Sequence, residues 1–259
     1  MRIGVSTASL YPMHTEDALK FLGESDVKLT EIFFNSASEL EPPFIKLLKQ
    51  IRDTYGMKIT AVHPFTSIVE PYLLFSEYKR RFNDSMEFYK KYYEAAAVLG
   101  AKYVIIHGDF IGGKVSINEY CERYALLSQS AREYGIILTQ ENVNKYKSAD
   151  PVFLKSIKSI LKDEIKFTFD IKQSVRAGFS PLQLFEAIGE DVVHIHISDH
   201  NQRNDCMLPG VGNFDFQKFY NKTKIYKYNG SFIIEVYKNA YETPSQLIKS
   251  YRHLNSLLI

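Results

Sequence analysis

Cysteine is scarce in this chain of 259 residues: it occurs twice, as Cys121 and Cys206, far apart and without paired spacing. That excludes a disulfide scaffold and points to a reducing compartment, so a cytoplasmic address is expected. Long apolar runs are also missing. The opening Met1-Arg2-Ile3-Gly4-Val5-Ser6 carries no signal-like stretch, and no later window reaches membrane-spanning length without a charge, so neither export nor a membrane partner is expected. Charge of one sign is not in excess. With 32 Lys and Arg against 30 Asp and Glu, the net charge of +2 gives little attraction for a nucleic-acid backbone, and nucleic acid is not the expected partner. No Pro/Gly/Ser linker, charge block or low-complexity tract interrupts the chain, which predicts one domain over residues 1–259.

Short β-branched and aromatic runs recur at 2–7, 28–34, 58–65, 102–109, 136–143, 166–173, 192–200 and 231–237, with helical segments between them. Their spacing of roughly 30 residues is that of a βαβ unit, and a strict strand and helix alternation implies a parallel sheet. A doubly wound open sheet would normally carry a glycine-rich turn after its first strand, and Val5-Ser6-Thr7-Ala8-Ser9 has none. The length of the chain and the eight units predict an α/β fold that closes on itself, a (β/α)8 barrel. Helix punctuation agrees. Asp150-Pro151, Ser180-Pro181 and Thr243-Pro244 each place a capping residue before a proline, and Ser116 with Glu119 reads as a capping box. Between Ser76 and Leu99, an apolar stripe through Tyr78, Phe82, Met86, Tyr89, Tyr93 and Ala96 predicts a helix packed on the core.

Barrels of this kind carry their chemistry at the C-terminal ends of the strands. Reading each run to its end gives His63, His107, Glu141, Asp170, His196 and Glu235 as candidate ligands. Glu141 and Glu235 each follow buried-looking apolar residues, and a carboxylate there needs a cation or a rich set of hydrogen bonds. A structural ion pair with Lys or Arg would serve either glutamate singly. His194 and His196 share one face of their strand. His196 lies nearer the active rim and is read as a ligand, whereas His194 is read as a core histidine. Glu141, Asp170, His196 and Glu235 together form an oxygen-rich set for one divalent ion, favouring Mn2+ or Mg2+ and also accommodating Zn2+ or Co2+.

Five segments then resemble, in order, the xylose isomerase-like TIM barrel family. These are Gln140-Glu141-Asn142, Phe169-Asp170 with Ala177-Gly178, the run from His194 to Asp199, the loop from Leu208 to Asn213, and Ile234-Glu235. The family includes sugar epimerases, hydroxypyruvate isomerase, inosose dehydratase and endonuclease IV. The resemblance implies a divalent-metal-dependent isomerase or epimerase acting on a sugar or sugar phosphate through a metal-bound enediolate. Glu141, Asp170, His196 and Glu235 would be the ligands, with Glu141 and Glu235 also the catalytic acid and base. His63, His107, Gln173 and Arg203 would contact substrate, with Arg176 a lesser helper, and the amides near Gly210 and Gly212 could join Arg203 in receiving a phosphate. A second metal held by His63, His107 and Cys206 is the alternative use of those residues.

Two other classes compete. An endonuclease IV-like, zinc-dependent AP endonuclease would use three zinc ions, but Gln173, Asn204 and Cys206 stand where that group's pattern has a histidine, an aspartate and a histidine. A non-catalytic barrel that binds sugar or metal is the third reading. The sugar, the choice between epimerisation and aldose-ketose isomerisation, and whether the chain forms a homo-oligomer are left open by these residues.

Overall fold

Eight parallel strands close into a barrel in the order β1 to β8, each bonded to its sequence neighbours and β1 to β8, in a computed structural model that describes residues 2–257. The strands are β1 Ile3–Ser6, β2 Leu29–Phe33, β3 Lys58–His63, β4 Tyr103–Ile106, β5 Ile137–Glu141, β6 Lys166–Asp170, β7 Val192–Ile197 and β8 Ser231–Ile234. All eight runs expected from the sequence contain one. The helices α1 Thr15–Glu24, α2 Pro42–Thr54, α3 Glu70–Leu73, α4 Lys79–Leu99, α5 Ile117–Glu133, α6 Pro151–Leu161, α7 Ile171–Arg176, α8 Pro181–Ile188, α9 Phe216–Ile225 and α10 Pro244–Leu257 lie between and after them.

Strand periodicity divides the side chains between two environments. On β6, Phe167 and Phe169 point outward, and Phe169 packs on Phe185 of α8 and Phe219 of α9, with ring centroids 5.2 and 5.7 Å apart. Thr168 and Asp170 point inward, where Thr168 Oγ1 meets Thr139 Oγ1 of β5 at 2.7 Å. The same two-residue step places Thr139 with Glu141 and His194 with His196 on the inner face. Register completes the alignment: Asp170 pairs with His196, and Glu141 with Thr168, so their side chains reach the same end of the barrel.

At two strand ends where the chain departs from its sequence pattern, a side chain takes the backbone amides. The run 166–173 does not stay extended to Gln173, because Asp170 Oδ1 accepts the amide of Gln173 at 2.8 Å and starts α7. Gln173 therefore stands on a helical turn over the rim. The run 102–109 leaves the sheet after Ile106, where the buried Glu70 accepts the amides of His107 and Gly108 at 2.6 and 2.9 Å. The run 192–200 ends at Ile197. Tyr78 precedes α4 and is exposed rather than part of the apolar stripe, while Phe82, Tyr89, Tyr93 and Ala96 are buried as expected. Ser116 accepts the Glu119 amide at 3.2 Å, whereas the Glu119 carboxylate pairs with Arg123 and leaves the capping box half made.

Asn142 fixes β5 to β6 at the rim. Its Oδ1 accepts the Asp170 amide at 2.7 Å, and its Nδ2 donates to Asp170 O at 3.0 Å and Ser174 Oγ at 3.1 Å, all out of water. Replacing it leaves buried backbone groups without partners, so Asn142→Ala should lower stability by on the order of 3 kcal/mol. Urea unfolding of the two proteins checks this; an unchanged midpoint would show that the clamp contributes nothing.

Candidate metal centre and active site

One imidazole nitrogen gathers three carboxylates from three strands. His196 Nδ1 lies 3.0 Å from Glu141 Oε1, 3.2 Å from Glu235 Oε2 and 3.6 Å from Asp170 Oδ2. Glu141, Asp170, His196 and Glu235 each present a ligand atom within 4.8 Å of the others. Apart from Glu235, which is slightly more open, these residues are buried. Glu235 follows β8 directly, and its backbone N–H donates to Ile197 O at 3.1 Å.

The donor set fits a divalent ion. Three carboxylate oxygens and an imidazole nitrogen are the hard and borderline donors that such ions take. Asp170 supplies a further sign: Oδ1 caps α7, while Oδ2 is buried without a hydrogen-bond partner and faces the Lys172 ammonium at 3.3 Å and His196 Nδ1 at 3.6 Å. An orphaned buried carboxylate oxygen is costly unless a cation faces it.

Electrostatics follow from this crowding. Burial pushes the carboxyl of Asp170 above its ordinary range, with the charges of Glu141 and Glu235 adding to it against the opposing Lys172. Burial acts in the same direction on Glu141, but hydrogen bonds from His107 and His196 outweigh it and hold that carboxyl well below the usual range. Burial alone would make His196 less basic, yet the surrounding Glu31 and Glu235 charges raise it well above an ordinary histidine. Without an ion, the raised basicity of His196 favours its protonated form, which together with the Lys172 ammonium offsets the three carboxylates.

Two residues that the sequence reading passed over complete the site. Glu31 of β2 is fully buried, and its Oε2 receives Nε2 of both His194 and His196, at 2.8 and 2.9 Å. This fixes the His196 ring with Nδ1 turned toward the carboxylates, the orientation a metal ligand requires. His194 is buried with Nε2 on Glu31, while its Nδ1 has no hydrogen-bond partner. The signal for Glu31 was present in Leu29-Thr30-Glu31-Ile32-Phe33, an acid inside an apolar strand. The second residue is Lys172, buried on α7, whose Nζ lies 3.0 Å from Glu235 Oε2 and 3.3 Å from Asp170 Oδ2. Its strand-like setting in the sequence gave no sign of this role.

The remaining candidates divide. His63 Nε2 and His107 Nε2 stand 3.4 and 3.1 Å from Glu141 Oε2 and 3.2 Å from each other, forming a second group of ligand type with Glu141. Cys206 belongs to neither group among the described residues, and burial raises its thiol pKa, so a second ion would lack the expected thiolate. Gln173 lines the cavity and accepts the Asn144 amide through Oε1 at 3.2 Å. Arg203 is exposed in a turn where Asn201 Oδ1 accepts its amide, and it does not line the cavity. Arg176 is turned to Asp205 and the Tyr237 hydroxyl. The phosphate cradle also fails, because the amides of Gly210 and Gly212 are both taken by Asp199 Oδ2 at 2.9 Å.

A cavity of about 350 Å³ opens above these groups, walled by Tyr11, Phe33 and Tyr237 and floored by His63, Glu141 and Glu235. A larger one, about 490 Å³, lies at the opposite rim between Arg2, Lys58, Tyr103 and Ser231, away from every cluster of ligand type.

The family model for xylose isomerase-like TIM barrels matches residues 19–257. This chain belongs to that family. It is 27% identical over 249 residues to an uncharacterized protein of Methanocaldococcus jannaschii, covering 91% of this chain and 83% of the relative. Among solved structures, a D-tagatose 3-epimerase-like protein aligns with a TM-score of 0.81 and 25% identity, over 100% of this chain and 97% of that one. D-psicose 3-epimerase of Clostridium cellulolyticum H10, solved with D-tagatose, aligns with a TM-score of 0.80 over 100% and 98% of the two chains. At 14% identity it is evidence of shared fold alone.

Two outcomes test the centre. Glu31→Ala frees the His196 ring and should weaken Mn2+ binding about 10- to 100-fold in calorimetry, the usual cost of losing a residue that orients a ligand. Because Nδ1 must release its proton to bind an ion, Mn2+ uptake near neutral pH should liberate about one proton per ion, and affinity should fall as pH falls. Binding enthalpies in buffers of different ionisation heat read that proton directly; a value near zero would contradict the protonated cluster.

Proposed function

We propose that the protein is a divalent-metal-dependent isomerase or epimerase of a small sugar or sugar phosphate. The observation that carries this reading is the convergence of Glu141, Asp170 and Glu235 on His196 Nδ1, beneath a cavity of small-molecule size. Membership of the xylose isomerase-like family and likeness to a D-tagatose 3-epimerase-like protein support it. When bound, a divalent ion would supply Lewis-acid charge to a substrate carbonyl and its neighbouring hydroxyl.

The protein's own groups would do the rest. Phe33, Tyr11 and Tyr237 offer apolar walls to the faces of a sugar, while Gln173 and His107 offer polar atoms at the same cavity. Glu141 and Glu235 enter from β5 and β8, with β6 and β7 between them, so two carboxylates approach the cavity from different parts of the rim. One removes the proton on the carbon beside the carbonyl and the other returns one. Return to the same carbon from the other face gives an epimer, and return to the adjacent carbon gives an aldose-ketose pair. His63 and His107 hydrogen-bond to Glu141 and keep its charged form favoured, which sets its affinity for that proton.

The group formed by His63, His107 and Glu141 favours one rival, a multinuclear hydrolase of abasic DNA. Elemental analysis of the purified protein separates the two, since the isomerase reading expects about one ion per chain and the nuclease reading about three.

Chelation should abolish turnover of ketohexoses and lower the melting temperature, and Mn2+ at 100 times its Kd should restore about 2.7 kcal/mol. Glu141→Gln and Glu235→Gln should each slow turnover by about 10²- to 10⁴-fold, the range for losing a positioned acid or base. Deuterium incorporation into the sugar from heavy water, followed by NMR, reports the proton step itself. Exchange at the wild-type rate in both variants would remove the assignment.

A further inference from the structure

Lys172 is a buried lysine whose ammonium touches the very oxygens that face His196 Nδ1. Glu235 Oε2 lies 3.0 Å from Lys172 Nζ and 3.2 Å from His196 Nδ1, and Asp170 Oδ2 lies 3.3 and 3.6 Å from the same two atoms. Asp170 Oδ2 has no hydrogen-bond partner, so the nearby ammonium is its main compensation. A second seat is within reach, because Nζ is 4.6 Å from the centroid of the Tyr237 ring, which lines the open cavity.

We propose that Lys172 is a resident cation of the metal centre, one that holds Asp170 and Glu235 while no ion is bound and competes with the divalent ion for their oxygens. The inference rests on the metal-centre reading above. An ion and an ammonium cannot both occupy the inner side of the same two oxygens, and at such separation like charges repel strongly in a buried site. Entry of the ion thus moves Nζ off at least one carboxylate, toward the face of Tyr237 and the cavity. Lysine suits this exchange because its point charge rides on a flexible four-carbon stem, unlike the fixed fork of arginine. The carboxylates stay organised without metal, and the protein binds its ion more weakly than the four ligands alone would allow.

Titration calorimetry with MnCl2 tests this on the full chain after chelation and desalting. Lys172→Met keeps the length of the side chain and removes the charge, and it should bind Mn2+ at least about tenfold more tightly than the wild type. In thermal melts the same variant should be less stable than wild type without metal and show the larger rise when Mn2+ is added. A crystal structure of the wild-type protein grown with Mn2+ needs no variant, and there Nζ should have left salt-bridge distance of Asp170 Oδ2 or Glu235 Oε2. Equal or weaker binding by Lys172→Met, with wild-type binding intact, overturns the exchange and leaves the metal centre standing. So does a loaded structure in which Nζ keeps both contacts. Absence of Mn2+ binding by both proteins overturns the metal centre itself and the exchange with it.

Discussion

Three carboxylates packed at one rim of a closed barrel impose the constraint on which the site depends: they demand positive charge. Glu141, Asp170 and Glu235 sit within 3.6 Å of a single imidazole nitrogen, and all but Glu235 are almost wholly out of water. Such a group is tolerable only when cations and donors neutralise it. In this chain they come from several directions: the His196 proton, the Lys172 ammonium, and the imidazoles of His63 and His107 around Glu141. A divalent ion would take over much of that work, which is why the same crowding that burdens the fold suits it to Lewis-acid chemistry.

The scaffold meets this demand by using strand register to aim the side chains and ordinary capping to restrain them. Glu31 on β2 reaches across the barrel interior to β7, where it bonds the two histidines His194 and His196. Asn142 locks β5 to β6, and Asp170 caps a helix with one oxygen while exposing the other to the cluster. Ser6 adds a hydrogen bond to Glu31 Oε1 at 3.0 Å, so even the group that orients His196 is itself oriented. Groups built into this many short contacts lose little freedom when a substrate arrives, which is the condition for acid-base chemistry at a fixed geometry.

Much of the architecture was legible because it rests on local rules. Strand runs at βαβ spacing, helices that begin at Pro151, Pro181 and Pro244, and ligand-type residues at strand ends correspond to features of the structure, although of Asp150 and Ser180 only Asp150 caps with its side chain. Two of the boundaries that shifted did so through a side chain from elsewhere or through a capping bond. Glu70 peels His107 and Gly108 from the sheet, and Asp170 turns the expected end of β6 into a helix. Arg203 and the glycine loop looked suited to an anion, but the first faces solvent and the second is claimed by Asp199. Residue type announces a capacity for bonding; only the neighbours decide whether that capacity is already used.

The sequence by itself determined the barrel, through periodicity, and the membership of the four-residue cluster, through the position of each acid or imidazole at the end of its strand. It could do so because both are set by short-range patterns of hydrophobicity and spacing. Tertiary structure alone decided which of the other polar residues join that cluster. Glu31 is 165 residues from its partner His196, and Lys172 is 63 from Glu235. Pairings across such separations exist only after the sheet has closed, because closure is what brings β2 within reach of β7 and sets α7 against β7, beside the end of β8.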